Sequence, residues 1–310
     1  MPAFWTRWRG PTEAFAPIRT AMRLNPHYPA PYLFNLGWAY HSTGQYAEAI
    51  AALKGAISLN PNYLSSYVGL ASSYQRQWLS QQSPDPQTLK EAGTVVQQAL
   101  TRNSAWHVNH IVMGYIYLDQ HQYEQAVAEM EQAVALAPTL AGSYSALAEA
   151  LSCMGRTKDA LEAAAQALRL KPEVADEHFA GVGTAYAVAG HYAEARDPLR
   201  RYLSRYPNML HIHLMLAAVY SELGQTTEAQ KEAAEVLRLN PNFSLAVHKQ
   251  REPIKDPAVL ERHIAALRKE GLKKRAVFLR GRWNDLVMYS ATCEEFGVRW
   301  HGIPVNMRLR

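Results

Sequence analysis

The sequence predicts an all-α protein built as a row of helical hairpins, and three observations carry that expectation. A small residue followed three positions later by Tyr recurs at Gly37/Tyr40, Ala71/Tyr74, Gly114/Tyr117, Gly183/Tyr186 and Ala217/Tyr220, with Ala148/Leu151 as a variant. About twelve residues after each small residue, an Ala opens a second apolar pattern, at Ala49, Ala126, Ala160, Ala195 and Ala229, with Ala92 displaced by an insertion. From Ala92 onward the Ala-to-Ala intervals are 34, 34, 35 and 34 residues. Each unit then closes on Pro61, Pro138, Pro172, Pro207 or Pro241, with Ser104 as the exception, and Pro cannot continue a helix interior.

Between the two patterns of a unit, Gly44, Gly155, Gly190 or Gly224 suits a helix end that needs a left-handed residue. Each unit therefore reads as two antiparallel helices, A and B. Their axes approach only if the facing side chains are small, which is why Ala and Gly stand where Leu would fit. Replacing Ala160 or Ala126 by Leu is expected to overpack the hairpin by about 1–3 kcal/mol.

Along the chain, residues 1–26 read as a partial repeat. Ala14, Ile18, Ala21, Leu24 and Pro26 match a helix B, while Met1–Gly10 makes a poor helix A. A hairpin without its partner leaves an apolar face open, so upstream sequence, a neighbour over Phe4, Trp5 and Trp8, or an oligomer contact is expected there. Residues 27–248 hold six repeats. The second carries about nine extra residues between Tyr74 and Ala92, where Asp85 reads as an N-cap and Pro86 as the first helical residue. Trp78 in that insertion either contacts a partner or folds back onto its own array. Pro198 predicts a kink or a late helix start in repeat five. Residues 249–272 read as a capping element: Asp256 caps, Pro257 starts, Leu260, Ile264 and Leu267 form the buried stripe, and Gly271 ends it. Residues 273–310 form a basic tail of no evident periodicity.

The order of Leu36, Gly37 and Tyr40, then the Ala-rich Tyr46–Pro61, resembles the tetratricopeptide repeats, a match covering residues 11–248. The resemblance implies a right-handed superhelical solenoid whose A helices line a concave groove. Residues 240–272 and 24–40 resemble, more narrowly, the repeat region of bacterial proteins that carry an adenylate/guanylate cyclase domain. That likeness implies the regulatory part of a nucleotide-signalling protein; no cyclase catalytic residue has a counterpart in the 310 residues.

Composition bounds the function classes. The 48% hydrophobic content suffices for a large core. The net charge of +5 is concentrated in residues 249–310, which carry 14 Lys/Arg against 7 Asp/Glu. Lys273, Lys274, Arg275, Arg280 and Arg282 leave a second function open, an adaptor docking on nucleic acid or anionic membrane. Cys153 and Cys293 lack a zinc-like or CxxC spacing, and no apolar run reaches signal or membrane-span length, so a soluble, reducing, cytoplasmic setting is expected.

No catalytic constellation, metal site or cofactor site is expected, and the protein is read as a non-enzyme. The glycines Gly181 and Gly183 fall inside a repeat helix, whereas a dinucleotide fingerprint needs a preceding strand. The pairs His107/His110 and His211/His213 lack a third ligand at useful spacing; His110 and His213 share a column with Leu33, Tyr67, Tyr144 and Phe179 and read as helix-packing residues. Cys153 has no nearby base and reads as structural.

The expected function is a protein–protein interaction scaffold. Projection of the A helices places Phe34, Asn35, Trp38, His41, Val68, Ser72, Ile111, Tyr115, Leu118 and Glu149 on the concave side, with Ser145, Thr184, Leu214 and Ala218 from later repeats. Family members that grip a terminal carboxylate use Lys, Arg and Asn at such sites; Asn35 and Arg76 are an incomplete set, so an apolar peptide anchored on Trp38, Phe34 and Tyr115 fits better. Packing of the same residues against neighbouring helices or the chain's own tail is the competing reading.

Overall fold

The computed structural model describes residues 11–170 and 179–272, together with 278–279 and 282–283. A 3-10 turn at Pro11–Ala14 leads into α1 (Phe15–Leu24). Six antiparallel hairpins follow: α2 (Ala30–Ser42) with α3 (Tyr46–Leu59), α4 (Ser65–Leu79) with α5 (Gln87–Arg102), and α6 (His107–Asp119) with α7 (Tyr123–Leu136). Next come α8 (Ala141–Met154) with α9 (Thr157–Leu170), α10 (Phe179–Val188) with α11 (Tyr192–Arg205), and α12 (Leu210–Glu222) with α13 (Thr226–Leu239). The short α14 (Leu245–Arg251) and α15 (Pro257–Lys269) end the helical part. A two-residue antiparallel ladder pairs β1 (Phe278–Leu279) with β2 (Arg282–Trp283). This is an all-α solenoid, as the repeat pattern requires. Phe4, Trp5, Trp8, Pro172, Cys293 and the tail residues Lys273, Lys274, Arg275 and Arg280 lie outside the described residues.

The small residues do what the spacing demands. Ala49, Ala92, Ala126, Ala160, Ala195 and Ala229 are all fully buried between their paired helices. A Cβ at Gly37 would sit 2.6 Å from Leu53 Cγ, one at Gly114 2.8 Å from Met130 Cγ, and one at Gly183 2.6 Å from Leu199 Cγ, so the A and B axes touch at these points. The A–B turns of repeats one, four, five and six place Gly44, Gly155, Gly190 and Gly224 at positive φ. In repeats two and three the same left-handed positions are held by Gln81 (φ 59°) and His121 (φ 57°), at a steric cost of roughly 1–2 kcal/mol each.

The column of His110 and His213 has a specific bonding role as well as a packing one. His110 joins Glu129 Oε2 (2.7 Å) to the Ser104 carbonyl (2.8 Å), and His213 joins Glu232 Oε2 (2.5 Å) to the Pro207 carbonyl (2.8 Å). Tyr67 in the same column donates to the Pro61 carbonyl at 3.0 Å. Each side chain thus ties its helix A to the loop that precedes it, and the histidines also reach their helix B. These bonds satisfy carbonyls at repeat junctions that Pro or a helix end would otherwise leave unpaired.

The departures from regularity resolve as follows. The 3-10 turn and α1 cover the first repeat, Ala14 and Ile18 clustering with Ala39 of α2, the Phe15 ring 4.9 Å from Tyr40 and Arg19 Nη2 donating to Tyr40 Oη at 3.0 Å. In the insertion, α5 begins one residue later than expected, at Gln87, because Pro86 takes the cap position; Asp85 Oδ1 still accepts from Gln87 N at 2.9 Å. Pro198 lies inside α11, which starts at Tyr192 and not after the proline. Asp256 caps α15, accepting from Ala258 N and Val259 N, and Ile264 and Leu267 are buried against α12 and α13 in the last core cluster.

Candidate binding surface in the closed groove

The two ends of the array meet. Asn208, between α11 and α12, donates to the Thr43 carbonyl (3.1 Å) in the turn of repeat one, and Asn240 donates to the Ser80 carbonyl (2.9 Å) in the turn of repeat two. The insertion is the clasp. Gln81 both donates to the Ser244 carbonyl and accepts from Ser244 N, each at 2.9 Å. Arg251 lays its guanidinium 4.4 Å from the Trp78 ring centre and donates to the Trp78 carbonyl. Trp78 is accordingly buried by its own chain, the second of the two sequence readings. His121 approaches the Gln250 carbonyl at 3.2 Å and Lys255 N donates to the Cys153 carbonyl at 2.9 Å, so residues 244–255 run along the inner side of repeats two to four.

This closure sorts the residues that sequence projection placed on the concave side. Phe34, His41, Val68 and Leu118 are buried; Asn35, Trp38, Ser72, Ile111, Tyr115 and Glu149 are half-buried. Phe34 and Val68 belong to the core of repeats one to three, the Phe34 ring meeting Tyr63 edge-on at 5.5 Å. Leu118 lies in the adjoining cluster. Trp38, His41, Ser72, Ile111 and Tyr115 come together around a pocket of about 680 Å3, the solvent at its mouth included, whose opposite wall is Tyr202, Tyr206 and Met209. Trp38 is stacked on His41 at 4.9 Å and 16°, which fixes the indole plane at the pocket wall. Leu118 and Glu149 border a second pocket of about 550 Å3, and Arg76 borders both. Asn35 lines neither.

The polar floor between the pockets is what projection from single helices missed. Arg76 Nη1 lies 2.9 Å from His211 Nε2, a contact spanning 135 residues of sequence. Burial opposes the Arg76 charge, yet Tyr202, Tyr46, Glu149 and Tyr115 around it outweigh that and hold its pKa above the ordinary value. Burial, then the Arg76 charge, pushes His211 well below the ordinary imidazole value and His41 down to about 3, so both rings are neutral. Burial raises Glu149, which accepts from Tyr115 Oη at 2.9 Å, and raises Asp119 to about 7, although Gln75 Nε2 donates to it at 2.6 Å. The pocket floor therefore carries one secure cation among neutral or readily neutralised groups. Cys153 is buried and free, its thiol pushed well above the ordinary value by burial, an inert setting as expected.

Among the described residues, one set of metal-ligating side chains converges. His248, Glu252 and His263 bring a ligand atom each to within 4.8 Å of one another beside the second pocket. Sequence reading weighs the pairs His107/His110 and His211/His213 and expects no metal site; it passes over the i,i+4 pair His248/Glu252, whose third member stands eleven residues further on, on another helix.

These features define a helical-hairpin repeat scaffold with a partly filled concave groove. Family models described as tetratricopeptide repeat match residues 30–63 and 110–140, 145–209, and 188–249, together more than half of the chain. The chain belongs to the tetratricopeptide repeat family. Proteins of this family generally act as protein-interaction scaffolds and are generally not catalysts. Among solved structures, the chain is similar to one in the APC/C hetero-tetramer Cut9–Hcn1, at 17% identity and TM-score 0.54, over 82% of this chain and 46% of that one. It is also similar to TTC0263, a thermophilic tetratricopeptide protein of Thermus thermophilus, at 28% identity and TM-score 0.49, over 56% of this chain and 87% of that one. PilF of Pseudomonas aeruginosa aligns at 17% identity and TM-score 0.42, over 71% of this chain and 95% of that one. No curated protein sequence matches the chain. Among the described residues, no helix is long and apolar enough to cross a membrane.

Proposed function

We propose that the protein holds a short apolar peptide or partner segment in the pocket lined by Trp38, Ile111 and Tyr115, with Ser72 and His41 beside them. The observation that supports this reading is the convergence of those five side chains, drawn from three successive A helices, on one solvent-open pocket. Aromatic anchors dominate binding energy when a partner side chain excludes water from them. Arg76 at the floor adds a donor for a main-chain carbonyl or carboxylate of the guest. Phe34, Val68 and Leu118 act beneath as packing, and Glu149 positions Tyr115 through its hydrogen bond.

The test is the double variant Trp38→Ala, Tyr115→Ala, read by thermal melting and by binding to a synthetic array of aromatic-rich peptides. The proposal expects affinity to fall at least tenfold while the melting point moves by a few degrees only. A lowered melting point with unchanged affinity reassigns both residues to the core. The narrower reading, a regulatory segment of a nucleotide-cyclase signalling protein, rests on the likeness of residues 240–272 and 24–40 alone. Neither the family matches nor the solved structures support that extension.

A further inference from the structure

We propose that His248, Glu252 and His263 form a binding site for a divalent transition-metal cation of the zinc class. His248 Nε2 lies 3.2 Å from His263 Nε2 and 3.5 Å from Glu252 Oε2. A tetrahedral zinc with bonds of about 2.0–2.1 Å requires donor–donor edges of about 3.3 Å. The two measured edges bracket that value, and the third donor pair falls within 4.8 Å. Two imidazoles and one carboxylate are a donor set that suits zinc and that calcium or magnesium, which take oxygen donors, do not favour.

The surrounding structure holds these ligands in place without a metal. His248 and Glu252 are one helical turn apart at the end of α14, whose start is fixed by Ser244 Oγ accepting from Val247 N. His263 projects from α15, whose start is fixed by the Asp256 cap. The link between the two helices is pinned by Arg251 on Trp78 and by Lys255 on Cys153. His248 and His263 are 5% and 8% exposed, so water is already largely excluded from the imidazoles. An ordinary hydrogen bond between two neutral imidazoles accounts for the 3.2 Å contact by itself. Glu252 Oε2 faces the same His248 nitrogen at 3.5 Å, an i,i+4 pairing within ion-pair range that places a third donor beside the two imidazoles. All three side chains line the second pocket, from which a water or a guest donor would complete a four-coordinate shell.

The experiment uses the full chain, stripped with a chelator and then titrated with Co2+ and Zn2+. Expected are one equivalent of metal per chain, an intense visible Co2+ spectrum of tetrahedral type displaced by Zn2+, and X-ray absorption showing two imidazoles on the bound zinc. Affinity should drop at least tenfold in His263→Gln and in Glu252→Gln, and stay unchanged in the remote control His110→Gln. Absence of the tetrahedral Co2+ spectrum in the wild-type protein overturns the proposal, whether or not the variants fold. So does binding retained at full strength in both folded ligand variants, which would place the metal on other histidines.

Discussion

Two helical glycines offer the same substitution with opposite expected outcomes. At Gly181, in α10, a Cβ would lie 2.3 Å from the Ser145 carbonyl oxygen of α8, well inside ordinary contact, and the obstacle is backbone. A backbone oxygen cannot rotate aside, so α8 and α10 must separate, and overpacking of this kind costs about 1–3 kcal/mol. Ala gains up to about 1 kcal/mol of helix propensity over Gly, so the upper end of that range leaves a net loss of about 2 kcal/mol for Gly181→Ala. At Gly93, in α5, the nearest atom to a new Cβ is Ile116 Cγ2 at 3.8 Å, ordinary contact, so Gly93→Ala keeps the propensity gain. With roughly 2–4 °C per kcal/mol for a chain of this size, the melting point should fall by about 4–8 °C in the first variant and rise by about 2–4 °C in the second. Differential scanning calorimetry of the two variants beside the wild type reads both. A rise for Gly181→Ala, or equal shifts at the two sites, would refute the claim that axial approach between repeats is set at this carbonyl.

Asp119 gives a pH signature. Its pKa is raised by burial from 3.8 to about 7, so the native state holds the proton more tightly than the unfolded chain, and stability is lost as pH rises from about 4 to about 7. Asp119→Asn keeps an acceptor for Gln75 and removes the charge; it should melt higher than wild type at pH 8, by at most about 4 kcal/mol in stability, and match it near pH 4. An equal loss at both pH values would show that the carboxylate is satisfied where it stands. Arg251→Gln removes the stacking on Trp78 and the bonds to the Trp78 and Ser83 carbonyls; hydrogen exchange of residues 244–255 should quicken at least tenfold, with exchange in α8 and α9 unchanged. Uniform exchange across all three would contradict a local clasp.

The hairpins were legible because their determinants are local. Gly37 against Leu53, or Ala160 against α8, involves residues less than half a repeat apart, and the same geometry is repeated until the pattern stands out. The groove was legible only as a list of candidates. Projection of one helix tells which side chains face inward, but not that Asn208 and Asn240 reach the turns of repeats one and two, or that residues 244–255 lie along the inner wall. The first two contacts join positions 165 and 160 residues apart and leave no periodic trace. The metal-ligating trio escaped for a related reason: an i,i+4 His/Glu pair is common on any helix, and only the turn between α14 and α15 brings His263 to it. A faint signal did exist in the turns. Four A–B junctions use Gly at the left-handed position, and the two that do not, Gln81 and His121, are the two whose side chains grip the returning chain.

Joining first and last repeats alters how the molecule comes apart. An open row of hairpins frays from its tips, because each module touches only its neighbours and its stability is a sum of local terms. Here the fifth and sixth modules also brace the first and second, so the tips are no longer the weak points, and opening a single junction relaxes a hoop. Global melting should behave as one sharp event, and loss of the Gln81–Ser244 or Asn208–Thr43 bonds should broaden it.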